Sequence, residues 1–438
     1  MFVIGYLLCL IIAYFFWRRP IVGVLLYGLF AADRDGYAMQ QFLAYATPQY
    51  KLLTRGLFLI GFLYACFKIF HLIMLRRLSK LEMFSALAAI VLVMWMFFGG
   101  LIKGNGLLLS ISYVAYSGIP AFLVFIAFWK DGQSHTYLRR FIIAQAILAA
   151  CVLLFPFMSF LDGFAYKAME RFSTTAASGS IESYTDLGTI RKGELGRYGQ
   201  FHNPNALGLY SAAIIALSLG ELLAARNGRT FAAAGALMLV GIFGWFNSFT
   251  RGPIILIVLG FIILLLAKAR GQMAVLKFIV GIILSSVIIL VFYGIGLFEF
   301  LFPRANDISV TSRLDGYSYG LEAIVSHPLF GVDSNWSWWR DYPHFLSLSV
   351  AADHGIVAGG LVTLLVFVLG GMVLARLLKL AGDPISAGCF MLTAAVFGIA
   401  VTNNFTAPVL FWSILATSLM VSGNKRNKRM GRGEGKYV

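Results

Sequence analysis

The sequence predicts an all-α, polytopic integral membrane protein of about 12 (12–13) transmembrane helices. Hydrophobic residues make up 60% of the chain and charged residues only 12%, which is more apolar side chain than a soluble domain buries in its core. Long apolar stretches recur along the chain, and lysines and arginines flank them. These features favour a helical bundle in a membrane.

Each transmembrane helix needs about 20 largely apolar residues, and the chain supplies such stretches repeatedly. The first stretch has neither the basic n-region nor the small-residue cleavage site of a signal peptide, so we expect it to be a first span. The second is short, and we expect it to be tilted, broken or re-entrant. The predicted spans are roughly 1–17, 20–32, 53–75, 83–103, 107–129, 138–158, 206–225, 230–249, 252–267, 274–298, 347–375, 386–403 and 406–422.

The formal net charge of +16 follows the positive-inside pattern, because most of the basic residues flank apolar segments. It therefore gives no reason to expect nucleic acid as a partner. The pattern predicts a single membrane domain over 1–424 and a basic cytoplasmic tail over 425–438, close to anionic lipid. It also predicts two long outer loops, about 161–205 and 299–343, that contain short amphipathic helices.

Metal binding is not expected from the sequence. The four cysteines lie in apolar segments without CxxC spacing, which indicates neither a disulfide framework nor a metal site. Asp33 and Asp35 in the first outer loop could hold a divalent ion that neutralises a diphosphate. Such a pair is common by chance, and here Arg34 separates the acids, so the metal role is the weaker interpretation.

Four basic residues lie at predicted outer helix ends. Arg55 and Lys103 are either interfacial anchors or phosphate contacts. Arg197 precedes Asn203-Pro204-Asn205, where capping residues open a helix whose free N–H groups and positive dipole end suit an anion. Arg251 lies between largely apolar segments, so it is either an interfacial anchor or, with Arg197, a second forked donor for phosphate.

The last outer loop contains a predicted amphipathic helix that lies on the outer face. The stretch begins near Arg313, and the breaker sequence His327-Pro328-Leu329-Phe330-Gly331 ends it. The apolar positions that recur at helical spacing are Leu314, Tyr317, Leu321 and Ile324.

His344 lies where the chain re-enters the membrane after this loop. A neutral imidazole there can accept a proton near pH 7, because the unperturbed pKa of histidine is about 6.5. His344 is therefore either a helix-end histidine bonded to water or a general base. We expect His354 to lie about three helical turns deeper, packed or hydrogen-bonded in the bundle.

Four segments between residues 197 and 358 resemble the O-antigen ligase and Wzy-type polymerase superfamily, and O-antigen ligase most. The order and spacing of the segments on the predicted outer face carry the resemblance. They are Arg197-Tyr198-Gly199 with Phe201 and Asn203-Pro204-Asn205 (RxGxFxxPN), Thr250-Arg251-Gly252 (SRG), Ser312-Arg313-Leu314 through His327-Pro328-Leu329-Phe330-Gly331, and His344 with Leu348, Asp353 and Gly355 (HNxxLxxxxExGxxG).

The chain departs from the family pattern around the histidine. Phe345 replaces the Asn that follows it, Asp353 replaces Glu, and Ala358 replaces the last Gly. Phe345 thereby removes an amide that could orient the imidazole or the acceptor.

The resemblance implies an inverting glycosyltransferase without metal or cofactor, on the periplasmic face of the bacterial inner membrane. Its donor would be a glycan on undecaprenyl diphosphate, and its acceptor a hydroxyl of lipid A–core. Arg197 and Arg251 would neutralise the leaving diphosphate, and His344 would deprotonate the acceptor. The further candidates for the site are Arg313, Arg55, Lys103 and Asp353.

Other functions stay open on the sequence alone. A Wzy-type polymerase would join repeat units instead of attaching a finished glycan. A protein O-oligosaccharyltransferase usually carries more soluble mass after its last helices, so the short basic tail disfavours it. A lipid-linked sugar transporter or flippase should place charges near mid-membrane and show related halves, whereas here the charges crowd one face.

Overall fold

The all-α class is confirmed throughout the part of the chain that a computed structural model describes, which contains helices and no strand. The described residues are 2–30, 50–107, 110–111, 114, 117–129, 140, 143, 204–222, 227–248, 252–268, 308–332, 343, 345–380, 384–402 and 408–433. Asp33, Asp35, the predicted span 274–298, most of the span 138–158 and most of the loop 161–205 lie outside them.

Most of the described helices lie within or overlap the predicted apolar stretches. A π-helical segment (Leu364–Leu369) joins α11 to α12. The helices are α1 (Phe2–Arg18), α2 (Pro20–Phe30), α3 (Tyr50–Met74), α4 (Lys80–Ile102), α5 (Ile119–Phe128), α6 (Pro204–Leu222), α7 (Gly228–Ser248), α8 (Gly252–Lys268), α9 (Ile308–Ser326), α10 (Leu346–His354), α11 (Ile356–Thr363), α12 (Gly370–Lys379), α13 (Pro384–Thr402) and α14 (Pro408–Gly433).

Local sequence explains where several helices begin. Ser79 caps α4: its hydroxyl accepts from the Glu82 N–H at 3.3 Å, and the Glu82 carboxylate accepts from the Ser79 N–H at 2.8 Å. Prolines open α2, α6, α13 and α14, because the ring presets a helical φ and the missing N–H would have no intrahelical partner in the first turn.

The apolar helices identify a membrane protein. Within the described residues, three helical segments are long and apolar enough to cross a membrane, namely Lys80–Ile102, Gly228–Trp245 and Ile356–Lys379. Shorter apolar helices accompany them, and large apolar side chains such as Trp17 and Phe67 point outward. The count of about twelve spans stays a prediction.

Several pairs of packed helices enclose the buried core. α6 packs on α7 and α13, α8 packs on α13, and α5 packs on α3 and α14. The largest fully buried side chains include Trp412, Tyr210 and Phe122, and the rings of Phe122 and Trp412 meet edge to face at 5.9 Å.

The prediction of one continuous span over 347–375 is wrong, because the chain reverses at Gly355. Gly355 has φ +87°, and a Cβ there would collide with the carbonyl group of Leu329. The rings of Phe345 and Phe367, on either side of the break, stack with centroids 5.6 Å apart. A continuous helix would separate these residues by about 33 Å. α10 and α11 therefore form an antiparallel helical hairpin.

Two other boundaries differ from the prediction. The predicted span 107–129 is interrupted at Gly118, whose φ of +68° ends one helical stretch before α5 begins. The last helix continues to Gly433, so the start of the predicted basic tail is helical. The hydropathy of the tail could not show this, because a polar sequence without proline can still be helical.

The predicted outer-loop helix exists as α9, but small residues form its packing face. Gly316, Gly320 and Ala323 are buried, whereas Leu321 of the predicted apolar stripe is 57% exposed. A Cβ on Gly320 would lie 2.7 Å from Cγ of Pro343 and 3.1 Å from Cγ of Leu348. Glycine therefore allows α9 to approach the start of α10 closely.

Candidate active site

The two residues that flank His344 are both held by packing, although position 344 itself lies outside the described residues. Pro343 is buried against Gly320 of α9. Phe345 stacks on Phe367 at 5.6 Å between ring centroids, with 30° between the ring planes. The chain on either side of position 344 is thus packed, Pro343 against α9 and Phe345 against the π-helical segment.

The start of α10 depends on this packing and not on a capping side chain. Phe345 occupies the N-cap position with extended backbone angles (φ −118°, ψ 119°) and makes no side-chain cap bond. Its carbonyl oxygen accepts the first helical bond from the Ser349 N–H at 2.9 Å. Because apolar N-caps are disfavoured, the contacts of the Phe345 ring must help to hold the start of the helix in place.

The π-helical segment forms the far wall of this arrangement. Phe367 within it also packs on Phe397 of α13, with ring centroids 5.7 Å apart. The Gly370 position lies so close to the Phe397 ring that a Cβ would approach it to 2.8 Å. The residues Phe345, Phe367 and Phe397 form an aromatic ladder from α10 across the hairpin to α13. Single-turn π insertions of this kind are frequent at functional sites.

Lys103 and Asp353 meet at the opposite end of α10. The Lys103 ammonium donates to the carbonyl oxygen of Asp353 at 2.6 Å and to that of Val332 at 3.3 Å. A cation at a helix C-terminus stabilises the exposed carbonyl groups and the negative end of the dipole. Lys103 thus ties the end of α4 to the end of α10, a structural role that neither sequence interpretation anticipated.

The breaker sequence after α9 closes the same end of the hairpin. The Pro328 carbonyl accepts from the Ile356 N–H at 2.8 Å, and the Ala352 carbonyl accepts from the Val332 N–H at 2.9 Å. Gly331 has φ +73° and lies against the backbone of Asp353, where a Cβ would clash. The contacts of the breaker sequence with the end of α10 and the start of α11 therefore stabilise the chain reversal.

Contacts of Trp95 join this end of the hairpin to α4. The ring of Phe330 stacks on Trp95 at 5.3 Å, and the indole N–H of Trp95 donates to the His354 carbonyl at 3.0 Å. His354 lies at this closed end, far along α10 from Phe345. The expectation that His354 is packed in the bundle is confirmed, because its Nδ1 atom is buried. Its depth relative to His344 stays a prediction, because position 344 lies outside the described residues.

The remaining candidate residues fall into two groups. Arg197, Arg251 and His344 lie outside the described residues. Arg55 lies on α3 and Arg313 on α9, and their side chains lie outside the described part. By helical register, Arg313 shares the Gly320 face and stands about two turns, or about 10 Å, from the point where Pro343 packs.

Several residues that shape the site gave little signal in the sequence. Phe367 lies in an uninterrupted apolar run. Because the run contains no regularly spaced polar residues, a π-helical insertion leaves no trace in the sequence pattern. Gly320 had a signal, since a glycine inside an amphipathic helix often marks a close approach. Within the described residues, no group of three or more His, Cys, Asp or Glu side chains is placed to hold a metal ion.

Comparison with known proteins agrees with three of the four motif segments, and the segment that contains Arg197 lies outside the match. Residues 236–363 match the family model described as O-antigen ligase. This segment runs from α7 to the end of α11 and contains Arg251, Arg313, His344 and Asp353. No curated protein matches the chain. The resemblance of the chain to the O-antigen ligase and Wzy-type polymerase superfamily is thus confirmed through its segment 236–363.

Proposed function

We propose that the protein is an O-antigen ligase-like glycosyltransferase of the bacterial inner membrane. It transfers a glycan from undecaprenyl diphosphate to an acceptor hydroxyl of lipid A–core on the periplasmic face, with inversion and without a metal. One observation carries the proposal: in the family-matched segment, His344 lies between two packed residues, Pro343 on Gly320 and Phe345 on Phe367. Such a transfer requires a catalytic base that is held accurately in position.

The chemistry requires a base on one side of the anomeric carbon and positive charge on the other. His344 takes the proton from the acceptor hydroxyl as its oxygen forms the new bond to the anomeric carbon. The bond from that carbon to the diphosphate oxygen breaks, and the diphosphate leaves with the electron pair. Arg197 and Arg251 neutralise its growing charge, and the position of Arg313 on the face of α9 that packs near Pro343 makes it a third candidate.

A Wzy-type polymerase is the second candidate, because it would use the same base and diphosphate contacts with a different acceptor. Polysaccharide from a deletion strain separates the two. Loss of all core-attached glycan supports the ligase, whereas a single repeat unit on the core identifies a polymerase. Unchanged core-attached glycan of full length would contradict both.

The donor contacts are tested by transfer from lipid-linked donor with purified protein. We expect Arg197→Lys and Arg251→Lys each to reduce turnover strongly, because lysine keeps the charge but loses the planar fork, and the alanine variants to be worse. Near wild-type turnover in both alanine variants at normal folded yield would remove these arginines from the site. Activity that needs added Mg²⁺ and vanishes with EDTA would favour Asp33 and Asp35 instead.

A further inference from the structure

The ring of Phe367 contacts two other aromatic rings. It stacks on Phe345 from one side and packs on Phe397 from the other, and it belongs to the π-helical segment Leu364–Leu369. A π turn holds more residues than an α turn, so it rotates the side chains that follow it about the helix axis. The segment therefore sets the direction in which Phe367 faces the hairpin.

Phe345 directly follows position 344 and is the N-cap residue of α10. It lacks a capping bond at the start of α10, and its extended φ and ψ place residue 344 immediately outside the helix. The other neighbour, Pro343, has a restricted φ and is buried against Gly320. Position 344 therefore joins two packed residues, Pro343 and Phe345.

We propose that Phe367 is a positioning residue that acts through Phe345 to hold His344 at the reaction centre, an inference that rests on the proposed function. The family pattern places an Asn after the histidine, and this chain places an aromatic ring there. In this chain, packing of the aromatic ladder would therefore orient the His344 imidazole in place of that amide. The three phenylalanine rings offer no hydrogen bond to a donor or an acceptor. We therefore expect the ladder to affect the rate of the chemical step and not donor binding.

The test is a set of variants assayed for kcat, KM and donor binding in purified protein at normal folded yield. Phe367→Leu removes the ring but keeps an apolar side chain, and we expect kcat to fall by about 10- to 100-fold with little change in donor binding, because small misplacements of catalytic groups are costly. Phe367→Tyr keeps the ring and should retain most of the kcat. Phe345→Leu breaks the same contact from its other side and should match Phe367→Leu.

Phe122→Leu is the matched control. It removes a buried ring that packs on Trp412, elsewhere in the bundle, and should leave kcat unchanged. If Phe122→Leu lowers kcat as much as Phe367→Leu does, loss of any core ring is sufficient and the proposal is wrong. Wild-type kcat in Phe367→Leu would also overturn it.

A double-mutant cycle separates this proposal from the proposed function. In a His344→Ala background, Phe367→Leu should have no further effect on kcat, because the group that it positions is gone. Full additivity of the two losses would show that Phe367 acts by another route and would overturn the proposal. Wild-type kcat in His344→Ala alone would instead contradict the proposed base, whatever the Phe367 variants do.

Discussion

At the scale of single residues, Lys103 shows how a candidate phosphate contact takes a structural role. Its ammonium donates to the carbonyl groups of Asp353 and Val332, both at the closed end of the hairpin. The Lys103 side chain is part-buried, and the donor is charged, so each hydrogen bond is worth more than a neutral one on the surface.

Lys103→Met should therefore lower the free energy of unfolding by about 1–3 kcal/mol, the cost of leaving buried carbonyl groups without a charged donor. Lys103→Arg should keep most of the stability, because it retains a cation of similar reach. Thermal unfolding in detergent measures the difference, and donor affinity is measured in parallel. A loss of donor affinity with unchanged stability would instead assign Lys103 to the phosphate.

Phe345 shows why the sequence could identify a candidate base without showing what holds it. The sequence showed that an amide was missing after His344 and gave no replacement for it. The replacement that we propose is a contact between rings 22 positions apart, which depends on the reversal at Gly355 and cannot be seen in local spacing. His344 could be named as a candidate because motif and histidine chemistry are local properties.

At the scale of elements, the hairpin of α10 and α11 organises the described part of the site. It places Phe345 beside Phe367 at one end and Lys103 beside Asp353 at the other. Hydropathy merged the two helices into one span, because both are apolar and Gly355 alone marks the break. Glycines within apolar helices are common, and only its φ of +87° shows that this one is a reversal.

Gly355→Ala should destabilise the protein by more than about 2 kcal/mol or prevent its accumulation, because the new Cβ combines an unfavourable φ with a backbone collision. Gly360→Ala is the matched control on the same hairpin, since no atom lies within 4 Å of its added Cβ. Folded yield and thermal midpoint are the measurements. Equal stability of the two variants would contradict the reversal.

At the scale of the whole molecule, composition, backbone angles and charge distribution each determine a different feature of the bundle. The helical class and the apolar character follow from composition alone, because 60% hydrophobic residues leave few alternatives. Exact helix ends depended on Gly118, Gly355 and the polar extension of α14, where backbone angles or helix propensity override hydropathy. The direction in which the bundle crosses the membrane rests on the distribution of lysine and arginine.

That direction is tested by labelling engineered cysteines with an impermeant reagent in intact spheroplasts. The charge pattern predicts that cysteines placed at Ser180 and Ser334 are labelled and that one at Asn427 is not. A variant without engineered cysteines gives the background from the natural ones. Labelling at Asn427 with none at Ser180 would invert the bundle and move the site to the cytosolic face.

The central claim is that His344 removes the acceptor proton. General-base catalysis typically contributes about 10²–10⁴-fold in rate, so His344→Ala should lose that much turnover while donor binding, held by the arginines, changes little. His344→Gln tests the role most sharply, because an amide accepts a hydrogen bond but cannot take the proton.

The decisive measurement is turnover and donor binding of wild type and His344→Gln from about pH 5 to pH 8, the range in which an imidazole titrates. Wild-type turnover should fall as the pH falls, because a protonated imidazole cannot act as a base. His344→Gln should be nearly as slow as His344→Ala and should lose the acid limb. If His344→Gln keeps most of its turnover and the same acid limb, His344 only positions the acceptor and the base lies elsewhere.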